Sequence, residues 1–401
     1  MPSSAPSRPK LIYLVTEDWY FWSHRLPMAR AARDAGFDVA VATRVRDHGQ
    51  RIEDEGFRLL PLAWERRSLD PLAGIRTLRD IVALYRRERP HLVHHVALKS
   101  TVMGGLAARI ASVSRVVNSL TGLGYVFSSR SPKARAIRAT VTPLLRGILN
   151  RPGSVLVLQN TDDRDLLVGL GLVAEERIRI VRGSGIDVRR FAPSPTPDHP
   201  PVVAAFVGRM LEDKGVPVLV DAVRRVRARG IDLRLRLVGT PDPENPTTVP
   251  EARLREWSEE PGIEWSGHSA DIPSVWAGCH FAVLPSRREG LPKSLLEAAA
   301  CARAIVATDV PGCREIAVAD RNALLVPPDD PAALAEALAR LATDHDLRRR
   351  FGAESRRLVL SDMAMEQVSG RILDIYRNLC ADMAAGTSGE AAGSLSEGSP
   401  S

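Results

Sequence analysis

Short apolar runs alternate with longer amphipathic segments along most of the chain. In the first half, apolar runs at 11–16, 39–43 and 92–95 are separated by segments at 27–35 and 75–87 whose apolar residues recur with helical spacing. Short apolar runs bounded by turn residues are typical of buried strands, and the amphipathic segments are typical of helices that cover them. The alternation predicts βαβ units around a parallel sheet.

A proline-rich stretch at 192–201 interrupts this series, and a second series of the same kind follows it. There we predict strands at 202–208, 233–238, 263–266, 281–285 and 304–308 and helices at 216–229, 293–301, 331–341, 345–358 and 365–379. The length of 401 residues allows roughly two or three domains. The pattern therefore predicts two facing Rossmann-like α/β domains with parallel sheets and an interdomain cleft, where the carboxyl ends of the strands would bind ligands.

Composition sets the predicted domain limits. We expect an N-terminal domain at 10–191, a linker at 192–201, a C-terminal domain at 202–362 and a last helix at 363–380 that packs back on the first domain. Residues 1–9 and 385–401 are rich in serine, proline, glycine and alanine. We expect both ends to be disordered, because they offer almost no large apolar side chains for a core.

Charge and hydropathy restrict the location and the partners. Charged residues interrupt every apolar run well before the about 20 residues of a membrane span, and no run has the features of a signal peptide. We therefore expect a cytoplasmic protein. The formal charge of +7 and the pI near 9.6 indicate an anionic partner, which could be a nucleic acid, a phosphorylated substrate or an acidic membrane.

Neither the cysteines nor the carboxylates form a metal-binding pattern. The four cysteines form no Cys-x-x-Cys pair and have no histidines at ligand spacing: Cys279, Cys301, Cys313 and Cys380. No Asp-x-Asp triplet directly follows a predicted strand. We expect four buried thiols, no bound metal and no cofactor.

The segment from Arg287 to Glu297 has the most specific chemistry. A predicted strand ends before it, Gly290 lies in a loop, and a helix begins near Lys293, whose first-turn N–H groups could hold a phosphate. Glu289 lies on the loop and Glu297 lies about a turn inside the helix, and each carboxylate could accept the paired hydroxyls of a ribose or hexose. The alternative is an ordinary glutamate favoured at a helix start.

This segment resembles the Glu-x7-Glu motif of family 4 glycosyltransferases, which are retaining enzymes with the two-domain GT-B architecture. Further matches follow in the order of the family: Gly208-Arg209, Lys214-Gly215, Leu237-Val238-Gly239, Gly267-His268, Asp271-Ile272, Thr308 to Gly312 and Glu315. The resemblance covers nearly the whole second half and implies that this half binds a nucleotide-sugar donor.

The first half contains its own matches: Ser23 to Pro27, Lys99-Ser100, Thr121 to Gly124, Gln159-Asn160, Asp162, Ser184 to Asp187 and Arg190-Phe191. These resemble the PglA-like bacterial transferases that extend polyprenyl-diphosphate-linked glycans. The resemblance implies retaining transfer of a hexose or N-acetylhexosamine from a nucleotide-sugar, preferably a UDP-sugar, to such an acceptor during bacterial surface polysaccharide or glycan assembly.

The resemblance also implies roles on the donor side. Arg209 and Lys214 would neutralise the departing diphosphate as its negative charge grows. Glu289 would contact a hydroxyl of the donor sugar, and Glu297 would accept the ribose hydroxyls. Backbone groups would contact the phosphates, sugar or base at Gly208, Gly267, His268, Gly290 and Leu291. The leaving diphosphate would itself help to deprotonate the acceptor, so that neither a dedicated carboxylate base nor a metal is required.

On the acceptor side, the matching positions are His24, Arg25, His94, Lys99, Gly122 and Gly124. Lys99 would bind a phosphate, and His24 and Arg25 would bind the acceptor diphosphate or sugar. The chain departs from the family where Leu98 replaces a histidine before the lysine. A structural role for His94 at a strand end therefore remains an alternative.

A cluster of cations between residues 130 and 151 contains no acidic residue and includes Lys133, Arg135, Arg138 and Arg146 among apolar positions. The mixture predicts a basic amphipathic helix that contacts anionic lipid, which would place the protein peripherally on the inner face of the cell membrane. The alternative is a solvated helix face over the core.

Other functions remain open at this point. A transferase with a small soluble acceptor, or a GT-B nucleotide-sugar epimerase, would use the same donor site, although an epimerase needs acid and base groups and only Glu289 is well placed. A nucleic-acid-binding protein would explain the charge. Aromatic residues make up only 5 % of the chain, however, and no binding module is recognisable.

Overall fold

The computed structural model describes residues 8–64, 71–121, 132–197 and 200–389, which form two compact units. The first unit comprises the chain up to Leu158, Asp163–Val181 and the chain from Ser369. The second comprises Gln159–Asp162 and Arg182–Val368. Two Rossmann-like α/β units were predicted, and each unit is one.

The first unit consists of alternating strands and helices: β1 (Lys10–Glu17), α1 (Asp18–His24), α2 (Leu26–Asp34), β2 (Asp38–Arg44), α3 (Gly49–Asp54), β3 (Arg58–Pro61), α4 (Pro71–Glu88), β4 (Leu92–Val96), α5 (Leu98–Ile110), β5 (Arg115–Leu120), α6 (Pro132–Leu149), β6 (Ser154–Leu158), α7 (Thr161–Gly169) and β7 (Ile178–Ile180). Within its described residues, the strands form a seven-stranded parallel sheet in the order β3-β2-β1-β4-β5-β6-β7. The strand order reverses between β1 and β4.

The second unit repeats the alternation: β8 (Val202–Val207), α8 (Val216–Ala228), β9 (Leu233–Val238), α9 (Glu251–Ser258), β10 (Ile263–Trp265), α10 (Ile272–Ala277), β11 (Phe281–Leu284), α11 (Lys293–Ala300), β12 (Ala304–Thr308), α12 (Pro311–Arg314), β13 (Ala323–Val326), α13 (Pro331–Thr343) and α14 (His345–Asp362). Its described strands form a six-stranded parallel sheet in the order β10-β9-β8-β11-β12-β13.

Local sequence explains where these elements form. Every residue of β4, β11 and β12 is buried, as expected of parallel strands covered by helices on both faces. Helix α13 begins where the Asp330 carboxylate accepts the N–H groups of Ala332 and Ala333, and Pro331 occupies the first turn. Apart from the last helix, the predicted elements of both halves agree with the structure to within a few residues.

The predicted domain boundary is wrong. The proline-rich stretch and the residues from Arg182 onward belong to the second unit. The buried guanidinium of Arg303 donates to the carbonyls of Ser194 and Pro195, and Arg356 donates to those of Val188 and Phe191. Proline content indicated a linker because prolines disrupt regular structure, but two arginines satisfy the carbonyls of this segment and fix it to the unit.

The last helix, α15 (Met365–Gly389), begins in the second unit and belongs to the first from Ser369. The Tyr376 hydroxyl lies 2.7 Å from the Tyr13 hydroxyl and 2.5 Å from Nδ1 of His94 in the core of the first unit. The predicted packing of this helix on the first domain is therefore confirmed. The helix continues past its predicted end at residue 380 to Gly389, and so includes residues 385–389, which were predicted to be disordered.

The remaining general predictions concern thiols, membrane spans and the chain ends. All four cysteines are free and buried, as predicted. No helix in the described part of the chain is long and apolar enough to cross a membrane. The predicted disorder of residues 1–7 and 390–401 lies outside the described residues.

The Tyr376 contacts predict a measurable stabilisation of the first unit. Tyr376→Phe leaves the Tyr13 hydroxyl and His94 Nδ1 buried without this partner, which should lower the free energy of unfolding by about 1–3 kcal/mol. Urea unfolding of this variant, of Tyr13→Phe and of the double variant should give a non-additive cycle. Tyr20→Phe, at a half-buried surface position, is the control. If the losses in free energy of unfolding of the two single variants add up to that of the double variant, the two hydroxyls do not interact.

Candidate active site

The predicted donor residues gather at one edge of the second sheet. Strands β10, β9, β8, β11 and β12 are neighbours and run parallel, so the loops that follow them all leave from the same edge. Gly267 follows β10, Gly208 follows β8 and Ser286 follows β11. Residues that are far apart in the sequence are thereby brought together at the edge where ligands bind in such folds.

Lys214 and Glu289 form the central ion pair of this edge. The Lys214 ammonium lies 2.5 Å from Oε1 of Glu289, and the buried Ser286 hydroxyl donates to the same oxygen at 2.6 Å. The two loops are also joined through their backbones, because Arg287 N–H donates to the Asp213 carbonyl at 3.0 Å. A predicted phosphate-binding cation and a predicted sugar-binding carboxylate thus hold each other in position.

Arg209 lies on the loop after β8 and is exposed. Its Nη1 pairs with Oδ2 of Asp242 at 2.6 Å, which orients the guanidinium. The loops after β8 and β9 approach closely: a Cβ on Gly239, whose φ is +137°, would lie 1.8 Å from the Gly208 carbonyl oxygen. Only glycine permits this approach.

Helix α11 presents its N-terminus at the same edge. Pro292 precedes it, and within the described residues no side chain caps its first N–H groups. These donors can bind an anion because the positive end of the helix dipole adds to them. The predicted phosphate-binding loop, with Gly290 and the half-buried Leu291, leads directly into this helix.

Glu297 is a buried carboxylate on this helix, only 7 % exposed. Burial raises its pKa to about 7, and the Lys293 ammonium at 3.8 Å opposes that shift, as does the positive charge of Arg190. A desolvated carboxylate of this kind gains much from hydroxyl groups that donate to it. This is the chemistry expected of a residue that binds paired ribose hydroxyls.

Gly267 and His268 follow β10, as predicted. Gly267 has φ of +67° and its carbonyl accepts the Gly239 N–H at 2.6 Å, which connects this turn to the next loop of the edge. His268 is exposed. The structure thus places both residues at the donor edge, on the strand farthest from Glu289.

Three contributors to this edge were absent from the predicted site: Asn160, Arg190 and Ser286. The Asn160 amide donates to the Gly290 carbonyl at 3.2 Å. The charge of Arg190 acts on both Glu297 and Asp271. The sequence signal for Asn160 and Arg190 was their place in family motifs, but those motifs had been assigned to the other domain. Ser286 had no signal, because serine is common after strands.

In the first unit, the predicted acceptor residues follow β1 and β4, between which the strand order reverses. The His24 ring stacks on Tyr20 with centroids 4.3 Å apart. Arg25 is 3 % exposed, and its Nη1 donates to the Met28 sulfur at 3.3 Å. Lys99 is half-buried in the first turn of α5.

Ala97, directly before α5, has φ of 74° and ψ of 164°. Residues with a side chain rarely adopt this conformation, and such strain concentrates at functional sites. Gly122 and Gly124 lie outside the described residues.

His94 is a correction to the predicted acceptor site. Its ring is fully buried, Nδ1 faces the Tyr376 hydroxyl, and Nε2 lies 2.6 Å from Oγ of Ser119. Burial lowers the pKa of His94 well below its ordinary value, and the charge of Arg25 adds to that shift. Both ring nitrogens have partners inside the unit, so His94 is a neutral structural residue.

The predicted lipid contact of the basic helix α6 stays a prediction, although one of its arginines has a partner within the unit. Arg146 donates through Nε to the Gly171 carbonyl at 2.8 Å, so it holds the turn after α7. Arg135 is exposed and Arg138 is half-buried, and the Lys133 side chain lies outside the described residues. Leu145, Ile148 and Leu149 are buried. The helix therefore combines a core face with a basic surface at its N-terminal end.

Two family sequence models match the chain. The model described as "Glycosyl transferase 4-like" matches residues 10–155, and the model described as "Glycosyl transferases group 1" matches residues 201–344. The chain is a family 4-like glycosyltransferase. The two matches fall on the two units in turn, and the strand-end motifs of the second unit lie inside the second match.

Individual relatives agree with this assignment. The Campylobacter jejuni N,N'-diacetylbacillosaminyl-diphospho-undecaprenol alpha-1,3-N-acetylgalactosaminyltransferase is 25 % identical over 81 % of this chain and 87 % of its own length. The Staphylococcus aureus capsular polysaccharide biosynthesis glycosyltransferase CapM is 20 % identical over 92 % and 96 % of the two chains. Anabaena HepE, solved with UDP and glucose, has a TM-score of 0.73 at 16 % identity, over 92 % of this chain and 100 % of its own. The glycosyltransferase therefore has the predicted GT-B fold.

The described residues of this glycosyltransferase contain no group of three or more histidine, cysteine or carboxylate side chains placed to hold a metal ion.

The pKa of Glu297 predicts a pH-dependent cost in stability. The folded pKa of about 7 lies above the ordinary glutamate value of 4.5, so between these pH values the folded state keeps a proton that the unfolded chain has lost. Glu297 therefore does not lower the free energy of unfolding below pH 4.5. As the pH rises from 4.5 to 7, ionisation of Glu297 in the unfolded chain lowers that free energy by about 3 kcal/mol. Relative to wild type, Glu297→Gln should gain that amount across this range, measured by urea unfolding.

The exposed Glu259→Gln is the matched control for that titration. A difference between Glu297→Gln and wild type that stays constant from pH 4.5 to 7 would contradict a raised pKa at Glu297.

Proposed function

We propose that this glycosyltransferase transfers a hexose or N-acetylhexosamine, with retention, from a UDP-sugar to a polyprenyl-diphosphate-linked glycan. The observation that carries the proposal is the arrangement of the Lys214–Glu289–Ser286 cluster beside the N-terminus of α11 and the buried Glu297. The name of the Campylobacter jejuni relative supports the acceptor class, and the UDP of Anabaena HepE supports the nucleotide.

The donor side would promote transfer by placing positive charge beside the leaving diphosphate. The bond between the sugar C1 and the diphosphate oxygen breaks, and the diphosphate leaves with the electron pair. Lys214, Arg209 and the N–H groups of α11 would stabilise the growing negative charge. The acceptor hydroxyl oxygen forms the new bond to C1, and its proton passes to the departing diphosphate. Glu289 would hold the donor sugar, and Glu297 the ribose.

Lys214 is already paired with Glu289, and this pairing supports a coupled role. A lysine shared between a carboxylate and a diphosphate can move toward the phosphate as that group gains charge. Glu289 is then released to accept a sugar hydroxyl. One ion pair thus serves both the leaving group and the sugar, which a cation isolated on the surface could not do.

Contact with a membrane would bring the enzyme to a lipid-linked acceptor. Leu72 and Ile75, at the start of α4, are 62 % and 64 % exposed, and the exposed Arg76 and Arg79 lie beside them on the helix. Helix α4 packs on α5, and α5 packs on α6. The N-terminal ends of these helices follow the carboxyl ends of parallel strands, so Arg135 lies at the same rim. Aliphatic and cationic side chains together suit anionic lipid.

Transfer can be tested by release of nucleoside diphosphate from a panel of UDP- and GDP-sugars with polyprenyl-diphosphate-linked mono- and disaccharides, with and without EDTA. Lys214→Met should lower kcat about 100-fold or more, because a preorganised charge at the leaving group is lost. Arg225→Met, which removes a surface cation paired with Asp221, should leave kcat unchanged.

Acceptor-dependent release that survives EDTA would support the proposal, and loss of activity in EDTA would contradict the metal-independent reaction. Release without any acceptor dependence would favour the epimerase or a different acceptor. An undiminished kcat in Lys214→Met would remove the proposed role of the ion pair.

The membrane surface has a separate test. Leu72→Ser with Ile75→Ser, and Arg76→Glu with Arg79→Glu, should each weaken partition onto vesicles containing acidic phospholipid by about tenfold or more, measured by co-sedimentation. Leu360→Ser is the matched control, because that leucine is 45 % exposed in the other unit. Equal binding of wild type and both double variants would contradict the surface.

A further inference from the structure

Aromatic residues are scarce in this chain but concentrated at one point. Trp19, Tyr20, Phe21 and Trp22 are consecutive residues of α1, although aromatic residues form only 5 % of the sequence. Phe21 is fully buried in the core. The other three lie at the surface of α1, and Trp19 is 36 % exposed. A core role accounts for Phe21 alone.

The surface rings of α1 form one continuous group. Trp19 meets Tyr20 edge to face with centroids 5.6 Å apart, and Tyr20 is stacked parallel on His24 at 4.3 Å. We call Trp19, Tyr20 and His24 the aromatic platform. The Ser23 hydroxyl lies 2.6 Å from Nδ1 of His24, which adds polar groups to the edge of the platform.

The backbone at the start of the platform is fixed by hydrogen bonds. The buried Asp18 carboxylate accepts the backbone N–H of Trp19 at 2.7 Å, that of Arg46 at 2.7 Å and that of His48 at 2.9 Å. These bonds join the start of α1 to the loop after β2. With the backbone fixed, only side-chain rotation remains to be ordered when a ligand binds, which favours affinity.

Its position is that of a ligand site. The platform follows β1, and the strand order of the sheet reverses between β1 and β4. In open α/β sheets, ligands bind outside the carboxyl ends of the strands at such a reversal. The strained Ala97 follows β4 at the same reversal.

The geometry points to a sugar ring as the occupant: we propose that the Trp19 ring stacks against a pyranose ring of the acceptor glycan, and that Tyr20, which meets Trp19 edge to face, borders the same sugar. A pyranose has apolar C–H faces and a rim of hydroxyls. The C–H faces suit the electron-rich faces of the indole and phenol rings. The Ser23 hydroxyl donates its proton to the Trp19 carbonyl at 2.7 Å, so its oxygen is an acceptor for a sugar hydroxyl, and the His24 ring adds a second polar group.

Charge around the platform agrees with a sugar that is linked to a diphosphate. Arg51 lies over the Trp22 ring at 5.9 Å, and His48 lies 6.1 Å from the same ring. Two carboxylates of this region are buried: Glu17 faces Arg44 at 3.6 Å and Arg46 at 3.8 Å, and Asp18 accepts backbone N–H groups. Between residues 44 and 51, three arginines outnumber the one carboxylate, the exposed Asp47, so this rim carries net positive charge. An isoprenoid chain alone would leave the polar edge without partners, which is unfavourable.

This inference rests on the proposed function, because it assigns the acceptor sugar of that reaction. The test uses the full chain with a polyprenyl-diphosphate-linked disaccharide and a saturating donor that supports wild-type turnover. Trp19→Leu should lower kcat/KM for the acceptor about tenfold through a higher KM, and Trp19→Phe, which keeps an aromatic face, should retain most of it. The KM for the donor should not change in either variant.

Two further variants separate the possible causes. Ile110→Ser removes an apolar side chain that is 49 % exposed at the far end of α5, and it should leave acceptor kinetics unchanged. If Trp19→Leu does not fold, shown by its melting curve, Tyr20→Leu is measured in its place with the same expectation.

The outcomes are distinct. The stacking role is overturned if the acceptor KM of Trp19→Leu is unchanged. It is also overturned if Trp19→Phe loses as much kcat/KM for the acceptor as Trp19→Leu does. Trp19→Leu could also bind acidic vesicles more weakly than wild type and keep the wild-type kcat/KM with a water-soluble acceptor. That result assigns the platform to the membrane and overturns the sugar site. Absence of wild-type turnover with every lipid-linked acceptor, while UDP still binds, is failure of the proposed function itself.

Discussion

Parallel pairing of β8 with both β9 and β11 is the constraint on which the donor edge depends. It directs the loops after these strands to one side, so that residues about 80 positions apart, such as Arg209 and Glu289, belong to one edge. The Lys214–Glu289 ion pair and the bond from Arg287 N–H to the Asp213 carbonyl then fix two of these loops to each other. Without the parallel order, the same residues would be scattered over the surface.

The donor edge combines groups that weaken the fold with groups that support it. The Glu297 carboxylate is buried, which raises its pKa. Within the described residues, no side chain caps the N-terminus of α11. Both features oppose stability in the absence of a ligand, and both become favourable when hydroxyls and phosphates are bound. The extensive apolar core beneath the edge can offset this loss of folding stability, because α11 and β12 are almost wholly buried.

The first unit shows how position changes the meaning of a residue. His94 and His95 are neighbours on β4, and both are buried, but they point to opposite faces of the sheet. Nδ1 of His94 lies 2.5 Å from the Tyr376 hydroxyl on the last helix, whereas Nε2 of His95 lies 3.0 Å from the Tyr85 hydroxyl on α4. His94, which was predicted for acceptor binding, and its neighbour His95 therefore each join a helix to the sheet. The surface chemistry of this edge belongs to α1 and to the first turn of α5.

The sequence alone determined the two α/β units, the order of their elements and the donor motifs, because hydrophobic periodicity and strand-end motifs are local properties. It also identified Lys214, Glu289 and Glu297 individually. Only the tertiary structure decided that Lys214 and Glu289 are paired, that Asn160 and Arg190 belong to the donor unit, and that His94 and Arg146 have structural partners. These facts depend on contacts between distant parts of the chain, and a side chain of given chemistry binds either a ligand or its own protein according to what the fold places beside it.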